Sequence, residues 1–81
     1  GVYPNPFQVT NTLHYTLRQA ANIQIDLIDL QGRQVKQLHR GYLPAGVYSL
    51  VTSAQDLANG TYFYRVTVDG QVFTHQVVVE K

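Results

Sequence analysis

The chain of 81 residues has no cysteine, so no disulfide framework staples it. Charge is scarce as well: 14% of residues are Asp, Glu, Lys or Arg, six basic against five acidic, for a net charge of +1. A nucleic-acid surface announces itself as a basic stripe. The only local basic cluster is Lys36, His39 and Arg40, which reads as a solvated strand edge. No apolar run is long enough to cross a bilayer as a helix, so membrane insertion is not expected. No signal peptide is recognisable and Gly1 stands in place of a start methionine, as expected of a piece cut from a longer protein. Helical periodicity is absent throughout. Residues 1–81 are expected to form a single domain whose small core depends on good packing and complete strand pairing.

Catalytic groups are equally sparse. His14, His39 and His75 are scattered over separate predicted strands, and no pair has metal-ligand spacing. Ser49 and Ser53 are not set in a nucleophile elbow. Asp26 and Asp29 are the nearest carboxylate pair, but Asp26 points outward with Gln24 and Asp29 precedes a turn. A glycosidase pair needs a cleft that a domain of this size hardly offers. The glycines sit singly at turns and form no phosphate loop. The expectation is a protein with no catalytic residue, no metal and no cofactor.

What is present is β-sheet. Tyr62, Tyr64, Val66 and Val68 fall on one side of an extended backbone, with Thr61, Phe63, Arg65 and Thr67 on the other. Asp69-Gly70 interrupts this run and supplies the two positive-φ positions of a type I′ turn, which predicts a hairpin with the strand that follows. That last strand runs almost to Lys81, and the strand, with its unpaired edge and free end, is expected to be the most exposed resource of the domain.

Upstream, Tyr3-Pro4-Asn5-Pro6-Phe7 excludes helix and locks an extended or turning path, leaving Asn5 to bond nearby backbone. Leu13, Tyr15 and Leu17 alternate with polar residues, and Ile23-Gln24-Ile25-Asp26-Leu27 does so cleanly. Ile28-Asp29-Leu30 continues out of phase and predicts a bulge or bend. A third strand is expected over Gln34 to Leu38 with Val35 inward, then a turn-rich connection from Gly41 to Gly46. A fourth, Val47 to Thr52, has Tyr48 and Leu50 facing in, and Leu57 anchors the loop after it. Short strands at this spacing argue for an all-β fold, an antiparallel β-sandwich. Tyr15, Tyr48, Tyr62 and Tyr64 invite a sugar-stacking reading, but their period places them on core faces. Arg65 is either solvated or laid over the neighbours of Phe63 as a cation–π pair.

Taken together, these motifs resemble a family. Tyr3-Pro4-Asn5-Pro6-Phe7 is similar to the opening signature of the C-terminal sorting domains of the type IX secretion system. The resemblance continues in order through Leu13 to Leu17, Ile25 to Val35 with its Asp29-Leu30-Gln31-Gly32-Arg33, Leu43 to Leu50, and Leu57 to Val66. It closes on Val77-Val78-Val79-Glu80-Lys81. Ile28, Thr52 and Gln76 depart from the pattern, where Tyr, Trp and Lys are usual.

The resemblance implies an immunoglobulin-like sandwich of about seven strands that follows a cargo domain in the same parent chain. Its implied partners are the outer-membrane type IX translocon, which recognises the domain, and a surface sortase, which removes it just upstream and commonly joins the cargo to an anionic lipopolysaccharide. The implied route runs through the periplasm of a Gram-negative bacterium to the cell surface or beyond. Tyr62, Tyr64, Arg65, Val77, Val78, Val79 and Lys81 are the expected translocon-binding residues. Pro4, Asn5, Pro6, Gly32, Arg33, Gly46, Gly60 and Gly70 are expected to fix turns. The alternative is an immunoglobulin- or fibronectin-like spacer, or a carbohydrate-binding module, of an extracellular protein.

Overall fold

A computed structural model describes Gly1–Lys81 as seven strands without a helix. They are β1 (Val2–Tyr3), β2 (Thr10–Leu17), β3 (Ala21–Ile28), β4 (Gln34–Leu43), β5 (Gly46–Ser53), β6 (Gly60–Val68) and β7 (Gln71–Val79). Two antiparallel sheets, ordered β1-β2-β5 and β4-β3-β6-β7, pack face to face. This is an immunoglobulin-like sandwich in which the fourth strand has joined the second sheet.

The closing hairpin forms as its local chemistry dictates. Tyr62, Tyr64 and Val66 are buried while the alternate residues of β6 are only half-covered. Asp69 (φ 46°) and Gly70 (φ 87°) take the positive backbone angles of the tight turn. Asp69 is also tied to β3: its carboxylate accepts from the Asn22 amide at 2.9 Å, and its own amide donates to the Asn22 carbonyl at 3.0 Å.

β3 lies between β4 and β6 and buries Ala21, Ile23, Ile25 and Leu27. Its pairing with β4 shifts register twice, between Ile25 and Asp26 and between Leu27 and Ile28. The second shift is the bulge expected near Ile28. It also corrects Val35, which is skipped in the ladder and is 40% exposed rather than inward. A one-residue slip exchanges the faces of a strand, so Lys36, opposite the buried Leu27, takes the core-facing phase. Its ammonium escapes by donating to the Ser53 carbonyl at 3.1 Å. An inward-aimed charge of this kind protects an edge strand from further pairing.

β4 also runs on to Leu43, beyond the expected end at Leu38. Pairing of Gly41, Tyr42 and Leu43 with Ile23, Asn22 and Ala21 overrides the turn-like composition, and Pro44-Ala45 alone makes the connection. Tyr48 and Leu50 face the core while Val47 and Val51 are exposed, as their alternation predicts.

The core is closed at one end by Phe7, Leu13, Leu57, Val77 and Val79, all buried. Within it lies a short polar chain. The Tyr64 hydroxyl donates to Asn11 Oδ1 at 2.7 Å, and the Asn11 side-chain amide donates to the Pro4 carbonyl.

Candidate functional site at the joined chain ends

The two ends of the chain meet along the outer edge of β7. In an antiparallel ladder, alternate residues turn their N–H and C=O groups to opposite sides. Val78 and Gln76 turn theirs away from β6, toward the segment Tyr3 to Phe7. Asn5 answers with its side chain: its Nδ2 donates to the Gln76 carbonyl at 3.3 Å, and its Oδ1 accepts from the Val78 amide at 2.9 Å. One primary amide thus imitates a strand residue. Phe7 then forms a parallel bridge with Val79, donating to the Val78 carbonyl and accepting from the Glu80 amide, each at 2.9 Å.

This corrects two expectations. Asn5 does not bond nearby backbone but reaches the far end of the sequence. The edge of the last strand is not free along its whole length either. Its end is covered from Gln76 to Glu80, and only the outward backbone of Val72 and Thr74 stays without a strand partner. Pro4 and Pro6, both following cis peptide bonds, flank Asn5 in this segment.

The carboxyl end is tied down further. The Lys81 amide donates to Asn59 Oδ1 at 2.8 Å and its ammonium to the Ala54 carbonyl at 3.3 Å. Asn59 and Ala54 belong to the loop before β6, whose Leu57 is buried. In the same corner the Tyr62 hydroxyl donates to the Ala58 carbonyl at 2.8 Å. This is the tyrosine corner of immunoglobulin-like folds, a Tyr at the start of the sixth strand bonded to backbone a few residues upstream. Sequence reasoning missed it, although Leu57-x-x-Gly60-x-Tyr62 carries the required spacing.

The residues expected to meet a translocon divide by burial. Tyr62, Tyr64, Val77 and Val79 are core residues, unreachable by a partner that binds the folded surface. Arg65 and Val78 are half-buried on the outer face and Lys81 is exposed. Arg65 forms no cation–π pair. It lies over Asp26, donating to Oδ2 at 3.2 Å, and Gln24 donates to the same oxygen at 3.0 Å. The outward phase expected for Asp26 holds, yet its carboxylate is buried beneath these two side chains, and Oδ1 has no partner.

The Asp29-x-x-Gly32-Arg33 motif builds the turn between β3 and β4. Asp29 Oδ1 accepts from the amides of Gln31 and Arg33, and Oδ2 from the Arg33 guanidinium, all at 2.9 Å. These bonds, led by the Arg33 amide, hold the Asp29 carboxyl below its ordinary value of 3.8. Gly32 (φ 82°) supplies the left-handed residue the turn requires. Gly70 serves its turn in the same way, while Gly46 and Gly60 are the first residues of β5 and β6.

Other reactive groups stay dispersed. His14 and His75 line one cleft between β2 and β7, whereas His39 is on β4 at the opposite edge of the second sheet. No three His, Asp or Glu side chains gather as a metal-binding group. The Ser53 hydroxyl accepts from the Gln55 amide. Tyr15 and Tyr48 stack at 5.4 Å between ring centres and 22° between planes, half-buried against the core, apart from the buried Tyr62 and Tyr64.

Residues 1–80 match the family model described as the secretion system C-terminal sorting domain. No curated protein matches the chain.

Proposed function

The chain belongs to the family of type IX secretion C-terminal sorting domains, the C-terminal tails by which cargo proteins are addressed for export toward the cell surface, and from that premise we infer that it acts as a folded, non-catalytic address. The outer-membrane translocon reads the domain from the periplasmic side in a Gram-negative cell. A surface sortase then cuts upstream and frees the cargo.

The observation that carries this reading is the joining of the ends. The opening Tyr-Pro-Asn-Pro-Phe motif and the closing strand, distant in sequence, form one patch through Asn5 and Phe7. Of the residues assigned to recognition, Arg65, Val78 and Lys81 supply the reachable contacts. Tyr62, Tyr64, Val77 and Val79 act by holding that surface in shape.

Deleting Val77 to Lys81 would not separate recognition from folding, because Val77 and Val79 are core residues. The test is export of a reporter fused ahead of residues 1–81 behind a cleavable export signal. Secretion that depends on an active translocon, and that falls for Val78→Thr and Lys81→Gln while the domain stays folded, is expected. Reporter retained in the periplasm with a folded domain would instead assign a spacer or binding module.

A further inference from the structure

The other open side of the sandwich lies along β2. β1 is short and pairs only Val2 with Leu13 and Tyr3 with Thr12. The ladder nevertheless continues one residue further. The Gly1 amino group donates to the His14 carbonyl at 3.1 Å, and the His14 amide donates to the Gly1 carbonyl at 2.8 Å. Gly1 and His14 are therefore a fully hydrogen-bonded pair, and by alternation Thr16 turns its N–H and C=O to the same edge. No strand covers it there.

Beside this edge runs a cleft of about 180 Å³ between β2 and β7, lined by Leu13, Tyr15, Leu17, Val66 and Phe73. Phe73 shares the core-facing phase with its partner Val66 but stays 45% exposed. An inward-facing aromatic left this open lacks a covering strand.

We propose that the segment of the parent chain entering Gly1 continues β1 as a strand along β2 and closes this cleft. The inference rests on the sorting-domain reading, in which a cargo precedes the domain. It follows from the β1–β2 interface itself, because register and direction are already set. The residue directly before Gly1 falls opposite Tyr15, the second opposite Thr16 and the third opposite Leu17. Side chains opposite one another share a face. The first and third upstream residues thus point into the cleft and suit apolar side chains, while the second lies outside beside His14 and Thr16 and suits a polar one. The cargo linker is seated in the sandwich rather than tethered loosely to it.

The test is amide exchange on the whole parent protein. The Thr16 amide is expected to be protected to within about tenfold of the His14 amide, as neighbours in one ladder are. Proline at the second upstream residue removes the donor to Thr16 and blocks the pairing, so Thr16 protection should fall while that of Leu13, which faces β5, remains. Thr16 exchanging as an open amide in the unmodified parent would overturn the proposal. So would protection that appears only at high protein concentration, which assigns the edge to a second copy. A second probe is Thr16→Cys paired with cysteine at the second upstream residue. The expected Cα separation of about 5.5 Å permits a disulfide, and failure of the folded, oxidised protein to form it counts against docking. Export is scored separately: an exported parent with an open Thr16 overturns only the docking, and a folded parent that is not exported overturns only the sorting reading.

Discussion

Tyr64 of β6 and Asn11 of β2, both fully buried, join the two sheets through one 2.7 Å hydrogen bond. Asn11 passes the connection to the Pro4 carbonyl, so the opening motif is wired to the centre of the core. Removing the hydroxyl leaves a buried acceptor without its donor. Tyr64→Phe is expected to destabilise the domain by about 1–3 kcal/mol, measured by urea denaturation with an unchanged m value.

The same hydroxyl gives an alkaline signature. Burial pushes its pKa above the ordinary 10.0, with the neighbouring Thr52 hydroxyl opposing weakly and making no bond of good geometry. The unfolded chain therefore ionises first. Stability is complete below pH 10.0 and is lost as pH rises toward the higher folded value. Thermal unfolding between neutral pH and strong alkali should show this loss, and Tyr64→Phe should reduce it. Tyr15, raised mainly by burial, keeps a share.

Asp29 gives the opposite dependence. Its folded pKa is lowered, so the contribution of the turn is full above 3.8 and disappears as pH falls through the lower folded value. Asp29→Asn is expected to flatten the acid limb of a stability-against-pH curve. An acid limb identical to that of the wild type would contradict this role.

Asn5→Ala removes both side-chain bonds to β7 and reopens its edge at Gln76 and Val78. The expected loss is about 1–2 kcal/mol, two modest exposed hydrogen bonds. Faster amide exchange should be concentrated at Val78 rather than spread through the core. A uniform change across all strands would show that Asn5 acts on global stability alone.

Arg65→Ala uncovers a buried carboxylate that already has one oxygen without a partner. Only Gln24 then still donates to Oδ2, so destabilisation of about 1.5–3 kcal/mol is expected, the range for losing a hydrogen bond to a charged group, and Asp26→Asn should recover part of it. Loss of export in Arg65→Ala alone therefore reports on folding, whereas loss in a stable Arg65→Ala, Asp26→Asn double variant reports on recognition.

What could be read from the sequence was local. The turn at Asp69-Gly70, the faces of β6 and the anchor Leu57 each follow from residues a few positions apart, where period and turn chemistry act. The β4 strand was misread at Val35 and beyond Leu38 because its phase is set by register shifts against β3, which no window on β4 contains. The candidate site suffered most. Nothing around Asn5 points to Val78, and nothing around Tyr64 points to Asn11, because those partners are chosen by the folded topology. The family motifs include Asn5, Tyr64 and Val78 without revealing what they touch, and Asn11 lies outside those motifs.

The clasp of Asn5 and Phe7 on the last strand has a consequence for synthesis. Its contacts span more than 70 residues, and chains emerge from the ribosome amino end first. The sandwich cannot close until Gln76 to Glu80 have been translated. A cargo whose message is truncated or whose ribosome stalls then carries an open sandwich with no joined-end patch. The clasp thus reports on the last strand: the joined-end patch forms only on chains in which Gln76 to Glu80 have been made.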